Sequence, residues 1–468
     1  MTSQPVVMKF GGTSVADAEA FRRVTQLVGA RAAECPVVVV VSAMSRVTDA
    51  LLSGVTSAVE RGADEAFGKL EEHFARHAEV AAALANAEER EAFGAELDAA
   101  RLGLGELLRA CASRERPLPE LRDEVVSHGE QLSAALLAAV LRGAGTPARH
   151  VDARRCLVTD DHFGRAAPLM KETERCTRAE VGPALEEGRV PVLGGFIAAT
   201  QAGQTTTLGR GGSDYTASVV GACLGAREIQ IWTDVSGVLT ADPRVVPSAR
   251  TIPRLSFAEA AELAFFGAKV LHPKTILPAV VRGIPVRICN SRAPDAGATV
   301  IYFDTDRTPR TVKGIAHKKG VAIVHVTSAR MLGAYGFLRA LFEIFERHET
   351  AVDLVTTSEV SVSLSLDDTR SLDAIMKDLE RIGAARVEHA RALVCVVGEG
   401  LRNTPGIAAK VFTAVRDINV MLISQGASSI NLTFVVEEEA VEDAVRKLHR
   451  AFFDGDTREL YRSAVQDC

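Results

Sequence analysis

Residues 6–21 read VVMKFGGTSVADAEAF, in which a β-branched apolar run gives way to two glycines and then to a helix-forming pattern. The run predicts a buried strand that ends at Phe10, and Gly11 and Gly12 then turn the chain. A helix is expected from about Val15, so the backbone amides of the turn would face an anion at the positive end of that helix. By itself this pattern is as often a plain turn as an anion site.

The alternation of short β-branched runs with longer helical patterns continues to about residue 300. It predicts an α/β sandwich built on a mainly parallel sheet. The predicted strands are Val6–Phe10, Pro36–Ser42, Val190–Ile197, Glu228–Trp232 and Ile284–Ile288. Residues 48–121 are rich in Ala, Glu and Leu and predict a helical hairpin against this sheet.

The remainder of the chain contains an internal repeat. The order β-α-β-β-α begins at AIVHVTS (322–328) and begins again at ALVCVVGEG (392–400), which predicts two ferredoxin-like units. Such units can serve only for dimerisation or can sense a ligand. The predicted boundaries are an α/β domain at 1–300, a charged and turn-rich linker at 301–315, and ferredoxin-like units at 316–390 and 391–468.

Composition narrows the classes of function. The chain has 54 Lys and Arg against 60 Asp and Glu, a net charge of −6, which argues against nucleic acid or an anionic membrane as the main partner. No apolar run approaches the length of a membrane-spanning helix, and the first residues lack the pattern of a signal peptide. The eight cysteines form no CxxC pair. We therefore expect reduced thiols, a cytoplasmic location and no structural metal.

A second glycine loop lies in TTTLGRGGSDYTA (205–217). Arg210 stands between glycines, where its guanidinium suits a carboxylate or a phosphate. Asp214 follows at the expected helix start and is able to organise a lysine, while Lys9 supplies a point charge for phosphate. Two glycine loops in one α/β domain favour a ligand site over plain turns.

The sequence lacks the common motifs of P-loop proteins and protein kinases. There is no GxxxxGK[ST] stretch and no protein-kinase HRD/DFG set, which excludes ordinary P-loop and protein-kinase chemistry.

A third candidate ligand loop lies in WTDVSGVLTADPRVVPSARTI (232–252). A predicted strand ends there in a polar loop of the kind that binds ligands in open α/β sheets.

Five segments in this order, KFGGTSV, SHGEQLS, TTTLGRGGSDYTA, WTDVSGV–TADPR and FGAKVLHP, resemble the aspartate kinases of the amino-acid kinase family. The repeat resembles the tandem ACT domains of those enzymes, so the resemblance covers nearly the whole chain. It implies a three-layer sandwich and transfer of the γ-phosphoryl of MgATP to the β-carboxylate of L-aspartate, giving 4-phospho-L-aspartate. That reaction opens the diaminopimelate pathway to lysine and the routes to threonine and methionine.

The resemblance also implies roles for particular residues. Lys9 would stabilise charge on the transferring phosphoryl, and Asp214 would organise the lysines rather than act as a strong base, because a carboxylate nucleophile is already ionised at pH 7. The residues expected to hold substrate are Ser42, Thr48, Glu130, Arg210, Gly211, Gly212 and Ser213. The residues expected to contact the nucleotide are Lys9, Phe10, Gly11, Gly12, Thr233, Asp234, Arg244, Lys269 and Val270. Leu239 stands where many relatives carry Tyr, so nucleotide contact there is expected to be apolar.

MLGAYGFL (331–338) and VDLVTTSEVS (352–361) resemble the effector segments of the lysine-inhibited, single-function enzymes. Asp353 and Glu359 suit the cationic groups of L-lysine, and backbone amides near Gly336 suit its carboxylate. The expected effector residues are Met331, Gly336, Phe337, Leu338, Val352, Asp353, Ser358 and Glu359. Ala334 replaces a Ser that those relatives often have. Pairing of ACT domains implies a homodimer or a dimer of dimers.

Three rival interpretations fit the sequence less well than an aspartate kinase. Glutamate 5-kinase and acetylglutamate kinase share the fold but lack this combination of SHGE, GRGGSD and a double ACT tail. A catalytically idle amino-acid sensor would keep the tail, although Lys9, Arg210 and Asp214 are intact. A fusion to homoserine dehydrogenase is not expected, since the chain ends just after the second ACT unit.

Overall fold

Two valine-rich strands, Val6–Phe10 and Val37–Val41, lie side by side in parallel, and every residue of both is buried. Continuous apolar runs of this kind are typical of parallel strands covered on both faces. The computed structural model describes residues 4–267, 271–303, 312–333 and 335–454. The chain divides into two units, 1–238 with 270–304 and 239–269 with 305–468.

The strands are β1 (Val6–Phe10), β2 (Val37–Val41), β3 (Ala148–Val151), β4 (Val158–Thr159), β5 (Val190–Gly194), β6 (Ile197–Thr200), β7 (Thr205–Thr207), β8 (Glu228–Thr233), β9 (Arg254–Ser256), β10 (Val286–Asn290), β11 (Ala298–Tyr302), β12 (Val312–Thr327), β13 (Val355–Thr357), β14 (Ser361–Leu366), β15 (Ala384–Gly398), β16 (Leu422–Gln425) and β17 (Asn431–Glu437). The α-helices are α1 (Ala18–Ala32), α2 (Val47–Arg61), α3 (Ala63–Gly68), α4 (Glu71–Leu84), α5 (Ala87–Ser113), α6 (Leu118–Gly143), α7 (Met170–Glu186), α8 (Gly212–Leu224), α9 (Phe257–Phe265), α10 (Pro273–Val281), α11 (Phe337–Arg347), α12 (Leu372–Leu379), α13 (Ile407–Ala414) and α14 (Val441–Phe453).

In the first unit the strands of the main sheet lie in the order β3-β5-β2-β1-β8-β10-β11. All neighbours are parallel except β10 and β11. Helix α6 is buried along most of its length and belongs to the same apolar core as β1 and β2. The predicted α/β class with a mainly parallel sheet is confirmed.

Several predicted element boundaries need correction. The predicted strand Val190–Ile197 is two strands, because β5 ends at Gly194 and Ile197 begins β6 in a separate sheet. The helix expected from about Val15 is a 3₁₀ turn, Gly12–Val15, and α1 begins only at Ala18 after the cap of Asp17. The predicted hairpin at 48–121 is a run of four helices, α2 to α5.

The predicted strand Ile284–Ile288 begins two residues later, as β10. Gly283 turns the chain with φ 69°. Proline at position 285 has no N–H to donate to a neighbouring strand. The ladder therefore starts at Val286.

The second unit has a sheet of order β13-β14-β12-β15-β17-β16. Strand β12 is long and serves two cores. Its second half pairs with β14 at Val324↔Leu364, and its first half pairs with the end of β15 at Ile315↔Val396. Gly320, with φ 72°, lies at the irregularity between the halves.

Each half of β12 completes one ferredoxin-like unit. Val324 belongs to the core formed with α11, β14 and α12, whereas Ile315 belongs to the core formed with α13, β17 and α14. Residues 312–315, which the sequence analysis placed in the linker, thus begin a strand of the second ferredoxin-like unit. Residues 304–311 of that linker lie outside the described residues.

The stretch 239–269 belongs to the second unit although it interrupts the first in sequence. Val245 and Val246 join the core around α14, and Thr240 Oγ1 lies 3.0 Å from His449 Nε2. Helix α9 begins with a full capping box between Ser256 and Glu259. None of the helices in the described ranges combines the length and apolar composition that a membrane crossing needs.

Candidate active site

A cavity of about 880 Å³ opens in the first unit where β1, β2 and β8 end. The carboxyl ends of parallel strands meet at one edge of a sheet, which brings their loops together. Most of the predicted site residues line this cavity. They are Lys9, Gly11, Gly12, Ser42, Thr48, Glu130, Arg210, Gly211, Gly212, Ser213, Asp214, Thr233 and Asp234.

Two of the remaining predicted nucleotide residues, Phe10 and Arg244, are not among the residues that line the cavity. Phe10 is fully buried and its ring stacks on Trp232, with centroids 6.0 Å apart, so its side chain belongs to the core. Arg244 lies in the second unit, exposed, where it pairs with Asp242 at 2.6 Å and holds the pKa of that carboxyl below its ordinary value. Lys269 and Val270 lie outside the described residues.

Lys9 and Asp214 form an ion pair at the cavity. Lys9 is the fourth residue of β1, and Asp214 lies in the first turn of α8, after Gly211 in the left-handed conformation (φ 74°). The distance from Lys9 Nζ to Asp214 Oδ1 is 2.5 Å, and the side chains are only 10% and 14% exposed. The carboxylate therefore holds the ammonium of Lys9 at the cavity wall.

The loops after β1, β8 and β10 are fastened to one another. Gly11 donates its N–H to the Trp232 carbonyl at 3.2 Å. The Ser14 and Ser291 hydroxyls lie 2.8 Å apart, and Ser291 Oγ donates to the Thr233 carbonyl at 3.1 Å. These bonds fix the glycine loop against the loop that carries Asp234.

Glu130 is buried on α6 at the cavity wall. Its Oε1 accepts from the Ala43 N–H at 3.2 Å, and its Oε2 is buried with no hydrogen-bond partner among the described residues. Burial raises the pKa of Glu130 to about 8. A buried carboxyl with an unpaired oxygen can bind a cation. The bound cation would lower the pKa of the carboxyl and so favour its ionised form.

The sequence analysis missed Asp123, which supports the second glycine loop. Its Oδ2 accepts from the N–H of Gly164 at 2.7 Å and from the N–H of Thr207 at 2.9 Å, and burial raises its pKa. Thr207 is the last residue of β7, three positions before Arg210. One signal was present in the sequence, since Asp123 and Glu130 are seven residues apart and so lie on one face of a helix.

Phe196 was also missed. It lines the cavity with φ 65°, a left-handed conformation that is uncommon for a bulky residue. Its N–H donates to Thr216 Oγ1 at 3.0 Å, and its ring stands where a side chain on Gly212 would collide, at 2.7 Å. The glycine at 212 is therefore required by the packing of the site.

The close contact between Gly195 and Ser213 leads to a testable prediction. A Cβ on Gly195 would stand 2.6 Å from the Ser213 Cβ and 2.7 Å from its Cα, so Gly195→Ala must push back the turn that carries Asp214. We expect kcat/KM to fall by about 100-fold, since a shift of about 1 Å at a reacting site has that effect. Unfolding free energy should fall by about 1–3 kcal/mol from overpacking.

The matched control is Gly94→Ala on α5, where nothing lies within 4 Å of the new methyl. This variant should keep full activity and gain slightly in thermal stability. Steady-state kinetics and thermal melts of both variants check the prediction. Unchanged kinetics in Gly195→Ala would contradict the assigned role of the turn at residues 211–214.

The predicted effector residues lie around the start of α11 and the β13–β14 turn of the second unit. Gly336 caps α11 in the left-handed conformation (φ 82°). Met331, Phe337 and Val352 pack at the edge of the first ferredoxin-like core, whereas Leu338 is 41% exposed. Ala334 lies outside the described residues.

Asp353 already has a cationic partner that the sequence analysis did not foresee. Lys318 Nζ lies 3.3 Å from Asp353 Oδ2 and 2.5 Å from Asp367 Oδ2. Burial raises the pKa of Asp353, and the Lys318 ammonium offsets part of that rise. Glu359 is exposed, beside Ser358, whose hydroxyl lies 2.7 Å from that of Ser361.

Comparison with known proteins identifies the family of the chain. Residues 4–290 match the model of the amino acid kinase family, and residues 394–452 match an ACT domain. The chain is 39% identical to the lysine-sensitive aspartokinase 3 of Escherichia coli, over 97% of this chain and all of that protein. It belongs to the aspartokinases of the amino acid kinase family.

Other aspartokinases are similarly close. Aspartokinase 3 of Arabidopsis thaliana chloroplasts is 39% identical over 99% of this chain and 83% of that protein. The crystal structure of E. coli aspartokinase III in complex with aspartate and ADP superposes with a TM-score of 0.81, at 39% identity, over 96% of this chain and all of that chain. The lysine and aspartate complex of the same enzyme gives the same TM-score. These matches confirm the predicted family, fold and enzyme class.

Proposed function

We propose that this aspartokinase transfers the γ-phosphoryl group of ATP to the β-carboxylate of L-aspartate, giving 4-phospho-L-aspartate. The observation that carries the proposal is the buried Lys9–Asp214 pair in a cavity that also holds Glu130 and Arg210. Cationic and acidic side chains face one space there, as recognition of an amino acid beside a phosphate chain requires. The aspartate and ADP complex of the E. coli relative supports the same pair of ligands.

The chemistry needs alignment and neutralisation of charge rather than a base. The β-carboxylate of aspartate is ionised at pH 7 and attacks phosphorus directly, so no proton has to be removed. The Lys9 ammonium and the amides of Gly11 and Gly12 would stabilise negative charge on the phosphoryl oxygens as transfer proceeds. Asp214 keeps Lys9 in place and takes no proton.

Recognition of L-aspartate divides between two groups. Arg210, exposed at the cavity rim between Gly209 and Gly211, would bind a carboxylate through its two-pronged guanidinium. The α-ammonium would approach Oε2 of Glu130, which lacks a partner. Ser42, Thr48, Gly212 and Ser213 also line the cavity and would complete this subsite.

The nucleotide would lie toward Thr233 and Asp234, at the end of β8. The described part of the chain has no cluster of three or more His, Cys, Asp or Glu side chains arranged to hold a metal ion. Mg²⁺ often binds through substrate phosphates and one or two carboxylates, and Asp234 is a carboxylate of that kind at the cavity. When bound, Mg²⁺ would neutralise charge on the phosphates of ATP.

The reaction is tested by ATP-dependent release of ADP with L-aspartate, L-glutamate and N-acetyl-L-glutamate as alternative acceptors. Turnover with L-aspartate alone supports the proposal. Preference for L-glutamate or its N-acetyl derivative would assign the site to glutamate 5-kinase or acetylglutamate kinase chemistry. Binding of aspartate and ATP without turnover would favour an amino-acid sensor.

We further propose that L-lysine inhibits the enzyme through the ACT units. The lysine complex of the E. coli relative supports this assignment, as do the exposed carboxylate of Glu359 and the buried carboxylate of Asp353. Lysine bound there would meet Lys318, which already pairs with Asp353. An incoming ammonium would therefore compete with Lys318 for Asp353 and leave Lys318 paired with Asp367 alone, at 2.5 Å.

The stretch 239–269 supplies a physical route for this regulation. It packs within the second unit through the Ile315 N–H to Thr240 carbonyl bond (2.8 Å) and the Asn431 to Glu262 bond (2.8 Å). At its start the chain runs on from the loop that holds Thr233 and Asp234. A rearrangement of the ACT units is thereby linked through the chain to the nucleotide loop.

Glu359→Ala is predicted to abolish inhibition by L-lysine while kcat and the KM for aspartate stay at wild-type values. The physical reason is that an exposed carboxylate outside the cavity contacts the effector alone. Dose–response curves for L-lysine measure the effect. The matched control is Glu346→Ala on the exposed face of α11. L-lysine should inhibit this variant as strongly as it inhibits the wild-type enzyme. Persistent inhibition in Glu359→Ala would move the effector site elsewhere.

The ACT-mediated homodimer or dimer of dimers and the cytoplasmic location stay predictions. Sedimentation with and without L-lysine measures the first, and cell fractionation measures the second.

A further inference from the structure

Arg76 connects two loops, after β1 and after β2, that line the active-site cavity. It lies on α4, a helix of the region between β2 and α6 that the family motifs leave out. Its Nη2 donates to the Ala16 carbonyl at 2.8 Å, and its Nη1 donates to the Ser45 carbonyl at 3.0 Å. One planar guanidinium thus holds two main-chain carbonyls that are 29 residues apart in sequence.

The two carbonyls belong to loops with different tasks. Ala16 follows the 3₁₀ turn Gly12–Val15, which carries the phosphate-side glycines. Ser45 belongs to the stretch 42–46, which lines the cavity beside the predicted aspartate residues. The loops touch, since a Cβ on Gly12 would stand 3.0 Å from the Ala43 carbonyl oxygen.

The loop after β2 also stores backbone strain. Arg46, directly after Ser45, has φ 70°, in the left-handed region that non-glycine residues rarely adopt. A strained conformation persists only when its surroundings over-determine it. The bond from Arg76 to the Ser45 carbonyl is such a constraint, one residue from the strained position.

A second side chain of α4, that of His73, also orients the Arg76 guanidinium. His73, one turn earlier on α4, presents Nδ1 at 3.3 Å from Arg76 Nη1. Burial lowers the pKa of His73, which keeps the ring neutral and able to accept a hydrogen bond. The guanidinium fork is therefore preorganised for two carbonyls, an arrangement that a lysine ammonium cannot reproduce.

We propose that Arg76 is a positioning residue that sets the separation of the phosphate loop and the aspartate loop. The role rests on the proposed phosphoryl transfer, because that reaction depends on in-line alignment of two substrates held by two loops. Arg76 lies outside the lining of the cavity and acts through Ala16 and Ser45.

The test compares Arg76→Met with Arg101→Met. Arg101 on the neighbouring helix α5 pairs with Glu71 at 2.7 Å and lies over the Phe74 ring at 5.7 Å, so its loss disturbs the same helices without reaching either loop. We expect Arg76→Met to lower kcat by about 10- to 100-fold. The KM values for ATP and aspartate should change by less than about threefold, because each loop keeps its own ligand contacts.

Two further readouts separate positioning from a loss of folded protein. Arg76→Lys should have an intermediate kcat, since an ammonium reaches the carbonyls as a point donor. Added methylguanidine should restore part of the activity of Arg76→Ala and none in Arg101→Ala. Rescue of this kind is not expected from a merely destabilised fold. If Arg76→Met fails to fold, Arg76→Lys supplies the kinetic comparison.

The outcomes are distinct. A kcat for Arg76→Met equal to that of Arg101→Met, or an absence of rescue in a folded and impaired Arg76→Ala, would overturn the positioning role. A wild-type protein that turns over no aspartate would instead contradict the proposed reaction.

Discussion

Lys9→Ala is expected to lower kcat by about two to three orders of magnitude, the usual effect of removing one donor that stabilises developing charge. The KM for aspartate should change by less than about threefold, because the Lys9 ammonium acts on the phosphoryl group in the transition state. The structural basis is the 2.5 Å pair with Asp214, which directs this one lysine at the cavity. Steady-state kinetics with both substrates varied give the result.

Lys69→Ala is the matched control for Lys9. Its ammonium pairs with Glu65 at 2.8 Å on the surface of the same unit, so the substitution removes an equal charge away from the cavity. Lys69→Ala should leave kcat unchanged. An unchanged kcat in Lys9→Ala would remove Lys9 from the mechanism and with it the reason for the buried pair.

Glu130→Gln is the second large expected effect. A buried carboxylate that pairs with the substrate ammonium contributes about 2–5 kcal/mol, so the KM for aspartate should rise by about 30-fold or more while kcat at saturation changes little. The substitution keeps the shape of the side chain and removes the charge. A KM equal to that of wild type would contradict the assignment of Glu130 to the ammonium group.

The same residue predicts a pH dependence. Because burial holds the pKa of Glu130 at about 8, the free enzyme carries it protonated at pH 7, and binding of the ammonium must expel that proton. The KM for aspartate should fall about tenfold per unit as pH rises toward 8 and then level off. In Glu130→Gln this dependence should disappear.

As pH rises, the free energy of unfolding should fall while the affinity for aspartate increases. The folded-state pKa of Glu130 lies above the ordinary value of 4.5, so the folded protein binds more protons than the unfolded one between these values. Its contribution to stability is present below about pH 4.5 and is lost as pH rises through about 8. Glu130→Gln should therefore melt no lower than wild type at pH 8, which separates its KM effect from unfolding. Glu124→Gln, on the same helix and paired with Arg116, is the matched control.

Most of the fold could be predicted from the sequence because the strongest sequence signals are local. The run at Val6–Phe10 is continuous and apolar, and the strand occupies those same residues. The glycine loop at 11–12 and the loop at 233–234 could be placed together by one general fact, that parallel strands present their carboxyl ends at a single edge. The glycine loop at 209–212 follows β7, a strand of a separate sheet, so that fact did not predict its position. Lys9 and Asp234 line the cavity from that edge, whereas Glu130 on α6 and Arg210 after β7 reach it from other elements.

What the sequence did not reveal depends on contacts between distant segments. The two cores on β12 follow from pairing of residues 312–318 with 393–398, and nothing local distinguishes that strand from a linker end. The left-handed Phe196 is held by Thr216, twenty residues away. Arg76 looks like any surface arginine of an amphipathic helix until its two carbonyl partners are known.

The most direct measurement is ATP- and Mg²⁺-dependent formation of aspartyl hydroxamate, with hydroxylamine as the trap for the acyl phosphate. It is run alone, with L-lysine, and with L-threonine as the control effector. We expect turnover on L-aspartate that L-lysine suppresses and L-threonine does not. Turnover indifferent to L-lysine would keep the phosphoryl transfer and contradict the effector assignment to Asp353 and Glu359. Absence of hydroxamate from a folded protein supplied with ATP, Mg²⁺ and L-aspartate would contradict the central claim.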